Sequence, residues 1–454
     1  MNNSNNSEMK NGGIPLEKIE LFNEEFCSDQ KNLLAMNAVT RTSITDVAMS
    51  RKAYVDAQHT FSHVVPLEGK ATSQKSSGRC WIFAALNVMR LPLMKKNDLE
   101  EFEFSQNYMF FWDKFEKSNY FLESIIDTKD RPVDDRTVMW LFQTAVSDGG
   151  QWDMFVNLVN KYGVVPKDAM PESHASSSSA LMNRVLLHKL REYAKEIRDL
   201  HTGGKNLLEL RSLKEEQMKE IYRILCIFLG EPPKKFDWQF RNKDKEFFDF
   251  QNLSTKKFME KHVPFNINNK ICLVNAPTKD KPLNNVLTVK YLGNVAEGFP
   301  TRYLNVDISV IKKAASESIK DGEAVWFGND VGKRFHRDIG VMDMDLYDYN
   351  LVIGTDTVLD KGSRLDYGDS AMTHAMVFTG VDIQDGKIEK WRVENSWGDK
   401  VGSKGYFIMT DKWFDEFLYE VVVDKKYVPK EIQEIAKQKP IELNPWDPMG
   451  SLAN

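Results

Sequence analysis

Cysteine is scarce in this sequence: there are four in 454 residues, and none forms a C-x-x-C pair. That excludes a disulfide framework and suits a reducing compartment. Long apolar runs are missing as well. No stretch approaches the roughly 18 residues of a membrane helix, and the opening Met1-Asn2-Asn3-Ser4-Asn5-Asn6-Ser7 lacks the basic-then-apolar order of a signal peptide. Nor is there an excess of one charge. Lys and Arg number 61 against 66 Asp and Glu, a formal net charge of -5, so no global basic field draws the chain to nucleic acid or an acidic membrane. A cytoplasmic chain with no membrane partner is expected, and its length suggests two or three domains at about 150 residues each.

What is present centres on Gln74-Lys75-Ser76-Ser77-Gly78-Arg79-Cys80-Trp81. A polar, Gly-containing turn hands over to an apolar run with helical spacing, Trp81, Ala84, Ala85, Val88 and Met89, which places Cys80 at a helix N-terminus. Unpaired N–H groups and the positive end of the helix dipole favour a thiolate there. Gln74 lies six residues upstream, within reach for its amide to point at an oxyanion formed when Cys80 attacks a carbonyl.

Residues 1–15 are polar and Asn-rich and read as a disordered leader. Ile19, Leu21, Phe22 and Phe26 suggest a short amphipathic helix on which Cys27 packs as a small hydrophobe, and His59 to Val65 looks extended. The helix of Cys80 ends near Met94, a second opens at Ser105-Gln106, and a third spans 134–147 and is broken by Asp148-Gly149-Gly150. The paired glycines read either as a helix end and turn or as backbone that a ligand can approach closely. The run Ser176 to Ser179 reads as a flexible connector, followed by two long helical stripes through Leu190 and Ile221. Between 231 and 261, Lys and Arg alternate with Phe and Trp, a combination that can serve a single-stranded nucleic acid groove. Intervening Asp and Glu favour a solvated, salt-bridged surface instead. Cys226 reads as core and Cys272 as the inward side chain of a short strand. After a helix at 305–320, five runs of β character succeed one another to Val423, so α+β organisation is expected, with helices in one lobe and an antiparallel sheet in the other. Asp343, Asp345 and Asp348 lack the Gly and Glu of a calcium loop, and neither a metal nor a cofactor is called for.

A thiolate nucleophile needs a base, and imidazole suits the task. Of eight histidines, His374 opens an apolar strand, and the next strand ends in Glu394-Asn395-Ser396-Trp397-Gly398. There Asn395 can orient the imidazole and Trp397 can shield their bond. Together, Gln74, Ser77-Gly78-Arg79-Cys80-Trp81, His374-Ala375 and Asn395-Ser396-Trp397-Gly398 resemble the signatures of papain-like cysteine peptidases, with Ser105-Gln106 and Gly149-Gly150 as further landmarks. From about residue 16 to the end, including Trp446-Asp447-Pro448-Met449-Gly450, the chain is similar to the bleomycin hydrolase and aminopeptidase C family.

The resemblance implies a papain-like two-lobe α+β fold with a large, mainly helical insertion. A 1–15 leader would precede an N-terminal arm and helical lobe (16–170), a helical, hook-like insertion for oligomerisation (171–300), a β lobe (301–439) and a C-terminal arm in the cleft (440–454). It implies Cys80 as nucleophile, His374 as proton shuttle, Asn395 as its orienter and Gln74 in the oxyanion hole. Gly149 and Gly150 would hold the substrate backbone. A homohexamer is implied too. Pro445, Trp446, Pro448, Met449 and Leu452 make the last residues stiff and apolar for a tail, and the terminal carboxylate, on Asn454, would meet the substrate's α-ammonium. The expected function is therefore a broad-specificity cytosolic aminopeptidase acting through an acyl-enzyme on peptides and amides with a free N-terminus. Two rivals stand beside it: an amidase or thioester-like hydrolase using the same residues, and a nucleic-acid-binding or scaffolding ring supported only by the segment 234–257.

Overall fold

The structure, a computed structural model, describes residues 12–355 and 359–453. It divides into two compact units, one formed by residues up to Gln58 with Asp343–Leu359, the other by His59–Met342 with Asp360–Asn454.

The smaller unit is helical. Leu16–Ser28, Gln30–Val39, Ile44–Ala48, Arg51–Asp56 and Tyr349–Ile353 are its helices, joined where Ser50 N–H donates to Leu346 C=O at 2.9 Å and Asp348 N–H to Ala48 C=O at 2.8 Å. The amphipathic helix expected at its start is there, but no residue of it is buried. Cys27 is exposed rather than packed: the unit is too thin to cover a second helix face.

In the larger unit, α1 (Cys80–Lys96), α2 (Gln106–Asp127), α3 (Arg136–Thr144) and α4 (Trp152–Tyr162) precede the long pair α5 (Ala180–Thr202) and α6 (Leu207–Leu229). Every residue of α1 from Cys80 to Leu91 is buried, as expected of a helix apolar all round. Ser176 to Ser179 is no flexible connector. Ser173 and Ser176 form a reciprocal capping box, and Ser179 donates to the Asp148 carboxylate, so the Ser176 and Ser179 hydroxyls, which read as linker, are engaged. Cys226 is only partly buried at the edge of the core, whereas Cys272 is inward as expected.

The strands are β1 (His63–Val64), β2 (Lys235–Arg241), β3 (Phe247–Ser254), β4 (Lys270–Val274), β5 (Asn285–Val289), β6 (Tyr303–Asn305), β7 (Val325–Asn329), β8 (Phe335–His336), β9 (Val341–Met342), β10 (His374–Gln384), β11 (Lys387–Glu394), β12 (Tyr406–Thr410), β13 (Leu418–Asp424) and β14 (Ile441–Leu443). β2 and β3 form a separate hairpin; the rest make one sheet in the order β14-β5-β6-β4-β13-β7-β10-β11-β12-β9-β8, with β1 added on β10. Its centre is antiparallel, in accord with the α+β expectation. β7 is buried along its whole length, as are the first nine residues of β10, because the sheet is covered on both faces. The Trp326 indole on β7 donates to Trp81 C=O of α1 at 3.2 Å, and Trp391 of β11 stacks on Phe414, 4.8 Å between ring centres. In the hairpin the aromatic rings stack on each other, Trp238 on Phe250 at 5.8 Å and Phe240 on Phe248 at 4.9 Å. The charged residues of that segment face out around them.

Candidate active site

The turn before α1 is fixed from several sides. Arg79, fully buried, donates to both oxygens of Glu172 at 3.0 and 2.7 Å and through Nε to Ser77 Oγ at 2.9 Å. Such a forked, charge-assisted pair sets orientation as well as energy. Gly78 N–H donates to Asp148 at 3.0 Å, and the Trp81 indole donates to Asp148 C=O at 2.8 Å. Burial works against the Asp148 carboxylate, but Lys114 at 2.7 Å and its hydrogen-bond donors hold it well below the usual carboxylate range. The Asp148-Gly149-Gly150 turn is thereby locked against the start of α1. A Cβ on Gly150 would lie 2.4 Å from the Trp81 ring, so close packing alone requires glycine there. Gly149 C=O accepts from Lys117 at 2.5 Å.

β10 and β11 bring the other residues to the same place. His374 Nε2 lies 2.8 Å from Asn395 Oδ1, leaving Nδ1 as the free ring nitrogen. The Trp397 ring sits 4.9 Å from the imidazole, tilted by 36°, and shields that bond. The N–H of Ala375, the residue after His374, reaches the Cys80 sulfur, as do the N–H groups of Cys80 and Trp81. Gln74 joins the group through Ser396: its backbone N–H donates to Ser396 C=O at 2.8 Å, and its Oε1 accepts from Ser396 Oγ at 2.7 Å. Its Nε2 donates one proton to Ser77 C=O at 2.6 Å, and the second remains for an incoming oxygen. Cys80, His374, Asn395, Gln74 and Trp397 are thus assembled in one place.

Burial shifts both members of the pair. Burial pushes the Cys80 thiol up to about 11, against the pull of the N–H groups around its sulfur. It pushes His374 down to about 4, despite the support of Asn395. Burial disfavours each charge taken alone, so a thiolate here depends on its N–H partners and on the imidazolium beside it as well as on the helix N-terminus. The two groups form a pair between which one proton can pass, since transfer changes no net charge.

The C-terminal segment reaches this site. After β14 pairs along β5, Trp446 lies under the Arg136 guanidinium at 3.7 Å, and Asp447 pairs with the buried Lys281 at 3.0 Å. Residues Pro448–Ala453 then form a 3-10 turn with Met449 and Leu452 buried. Met449 C=O accepts from Tyr303 OH at 3.1 Å and from the Gln151 amide at 3.5 Å, and Ser451 Oγ donates to Met372 C=O at 2.7 Å. Gln151 directly follows Gly149-Gly150, and Met372 comes two residues before His374, so the arm touches both sides of the site. Asn454 lies outside the described residues.

Sequence reasoning passed over the supports. Ser396, Arg79 and Asp148 lie inside quoted motifs and Glu172 lies apart from them, yet a residue type gives no sign of which partner it will meet. Arg90 carried no signal, and Glu394 was seen only as the first residue of a strand-end motif. Their buried pair at 2.5 Å, joined by Asn87 at 2.8 Å, ties α1 to the strand end carrying Asn395.

Comparison with known proteins defines the class. Residues 13–450 match the model of the Peptidase C1-like family. The chain is 49% identical to bleomycin hydrolase of Mus musculus over 454 residues, covering 98% of this chain and 100% of that protein. It is 48% identical to aminopeptidase C of Listeria monocytogenes serovar 1/2a over 440 residues, covering 97% and 99%. The crystal structure of pepW from Lactobacillus rhamnosis HN001 superposes with a TM-score of 0.95 at 45% identity, covering 96% of this chain and 98% of that one. The chain belongs to the Peptidase C1-like family, with the papain-like α+β fold of a cysteine peptidase.

Proposed function

We propose that the protein is a cysteine aminopeptidase that removes N-terminal residues from peptides and related amides. The observation that carries the exopeptidase reading is the C-terminal arm, hydrogen-bonded to Gln151 on the Cys80 side and to Met372 on the His374 side. A longer chain cannot cross a cleft so occupied. Cys80 Sγ gives its proton to His374 Nδ1 and attacks the substrate carbonyl carbon, forming a C–S bond. The oxyanion is met by Gln74 Nε2 and the Cys80 N–H. His374 returns the proton to the leaving amine as the C–N bond breaks, and water, deprotonated by the same imidazole, then cleaves the thioester to give the acid and free thiol. Asn395 and Trp397 keep the ring in register. Gly149 and Gly150 present backbone to the substrate, and a terminal carboxylate on Asn454 meets its α-ammonium.

Bleomycin-type amides, broad side-chain tolerance and a cytoplasmic setting belong to this reading, the last supported by four unpaired cysteines. A homohexamer is supported by the exposed Leu16, Leu21, Phe22 and Leu34 of the smaller unit, apolar surface that a further copy would cover, with the 171–300 insertion as another contact region. Stacking of the hairpin aromatics on one another leaves fewer faces for bases and weighs against a nucleic-acid role.

Turnover of a fluorogenic amino-acid amide, its N-acetylated form and the Cys80→Ala variant tests the reading. Cleavage of the free-amine substrate alone, and only with Cys80, is expected. Equal cleavage of both substrates would overturn the blocking role of the arm. Deletion of residues 450–454 is expected to lower aminopeptidase turnover and to open the enzyme to blocked peptides.

A further inference from the structure

β10 begins at His374, so the strand holds that residue from its downstream side alone. Ala375 to Phe378 are registered on Gly328 to Val325 of β7. Upstream lies the connection 367–373, which leads in from the short helix Lys361–Asp366. Asn395 reaches only the imidazole ring. Where the ring stands relative to Cys80 therefore depends on how the connection is fixed.

The end of β7 fixes it. Thr373 N–H donates to Asn329 C=O at 2.9 Å, and the Asn329 amide donates to His374 C=O at 3.1 Å. Asp330, the next residue, is buried and accepts two hydroxyls: Ser370 Oγ donates to its Oδ2 at 2.8 Å and Thr373 Oγ1 to its Oδ1 at 3.3 Å. Its own N–H is anchored on Phe417 C=O at 3.0 Å. Tyr419 on β13 donates to Ser370 Oγ at 2.7 Å, which commits the Ser370 proton to Asp330. Between the two hydroxyl residues Met372 packs over Gly328, where a Cβ would lie 2.4 Å from its sulfur.

Lys333, three residues on, pairs with Asp369 at 3.4 Å rather than with Asp330. A buried carboxylate served by hydroxyls costs stability, so stability alone gives no reason for an acid here. What a carboxylate does offer is two acceptor oxygens in a fixed fork, able to take two hydroxyl protons at once.

We propose that Asp330 is a positioning residue for His374: by gripping Ser370 and Thr373 it fixes the connection that sets the imidazole against Cys80. The inference rests on His374 being the group that takes the thiol proton. Burial and Asn395 are what shift His374, so Asp330 acts on the place of the ring rather than on its charge. A displacement of about 1 Å at a reacting group costs about 10²-fold in rate.

The test compares Asp330→Ala, Asp330→Asn, Ser370→Ala, Thr373→Val and His374→Ala in the full chain. Alkylation of Cys80 by iodoacetamide at neutral pH, followed by the mass of the Cys80 peptide, separates folding from geometry. Its extent counts intact sites, and its rate per site reads how readily the imidazole takes the thiol proton. Asp330→Ala is expected to alkylate, and to turn over an amino-acid amide, at least about tenfold more slowly, through kcat with KM little changed. Asp330→Asn keeps one acceptor oxygen and should recover part of the loss. Ser370→Ala and Thr373→Val should fall between, and Ser370→Ala should add little to Asp330→Ala, because the two residues act as one unit. Wild-type rates per site in Asp330→Ala, with His374→Ala slow, would overturn the positioning role alone; so would a loss lying wholly in the number of intact sites or wholly in KM. Where Asp330→Ala does not fold, Asp330→Asn and Thr373→Val decide, and wild-type rates in both would overturn the role. Wild-type alkylation in His374→Ala would overturn the proton-shuttle reading and this inference with it.

Discussion

Two of the helices that carry a cysteine among apolar residues meet opposite fates. Leu16–Ser28 holds Cys27 with Leu16, Leu21 and Phe22 exposed, while α1 holds Cys80 with Trp81, Ile82 and Phe83 wholly buried. Apolar content therefore does not decide burial; the supply of covering layers does. The smaller unit has one layer of short helices, whereas α1 lies between a sheet and α2 and α4. Burial then decides chemistry. Cys80 gains fixed N–H partners and an imidazole held by Asn395, and at the same time loses the water that would stabilise a free thiolate.

The sharpest way to break this comparison is to exchange the two thiols' consequences. Cys80→Ala is expected to lower turnover of an amino-acid amide by at least about 10⁴-fold, while Cys27→Ala leaves it unchanged; a comparable loss from Cys27→Ala would contradict the contrast. Next in size, Arg90→Met leaves Glu394 buried without its partner, and a loss of about 3–5 kcal/mol is expected in denaturant unfolding. Adding Glu394→Gln should recover much of it, and no recovery would mean that the pair does not act as a unit. Gln74→Ala removes one oxyanion donor, with a fall of about 10²–10³ in kcat and little change in KM; a change confined to KM would speak against that role.

The pH dependence sharpens the electrostatic side. The Cys80 and His374 pair holds one proton across the range between about 4 and about 11, whichever atom carries it, so kcat/KM should follow a broad bell with an acid and an alkaline limb. A standing thiolate with an ordinary imidazole would give a narrower one. Because the folded-state pKa of His374 lies below its ordinary 6.5, the unfolded chain takes up a proton that the folded chain refuses. Its contribution to stability is thus present above about 6.5 and is lost as pH falls toward 4; His374→Gln should flatten that part of the stability curve. The smallest effect belongs to the smaller unit. Phe22→Ser is expected to shift stability by no more than about 0.5 kcal/mol in dilute solution, and a larger loss would show that its face is covered.

Much of the site was legible because its residues sit at element ends. A Gly-containing turn before an apolar run marks a helix start, and a His before Ala375-Met376-Val377 marks a strand start, so Cys80, His374 and Asn395 could be singled out without coordinates. The five β runs after residue 320 were legible for the same reason: their apolar residues are continuous. What could not be read were partners far apart in sequence. Ser176 to Ser179 read as a linker, and nothing beside Arg90 or Glu394 in the sequence marks the two as partners.

The sequence by itself determined the elements, their order and the chemistry available at Cys80, His374, Asn395 and Gln74, because local spacing governs helix and strand formation and side-chain type governs reactivity. Only the tertiary structure decided which thiol is dry, which charges meet, and that the last residues return between Gln151 and Met372. Those outcomes depend on water being excluded from some places and not others, a property of packed layers that no local stretch of chain contains.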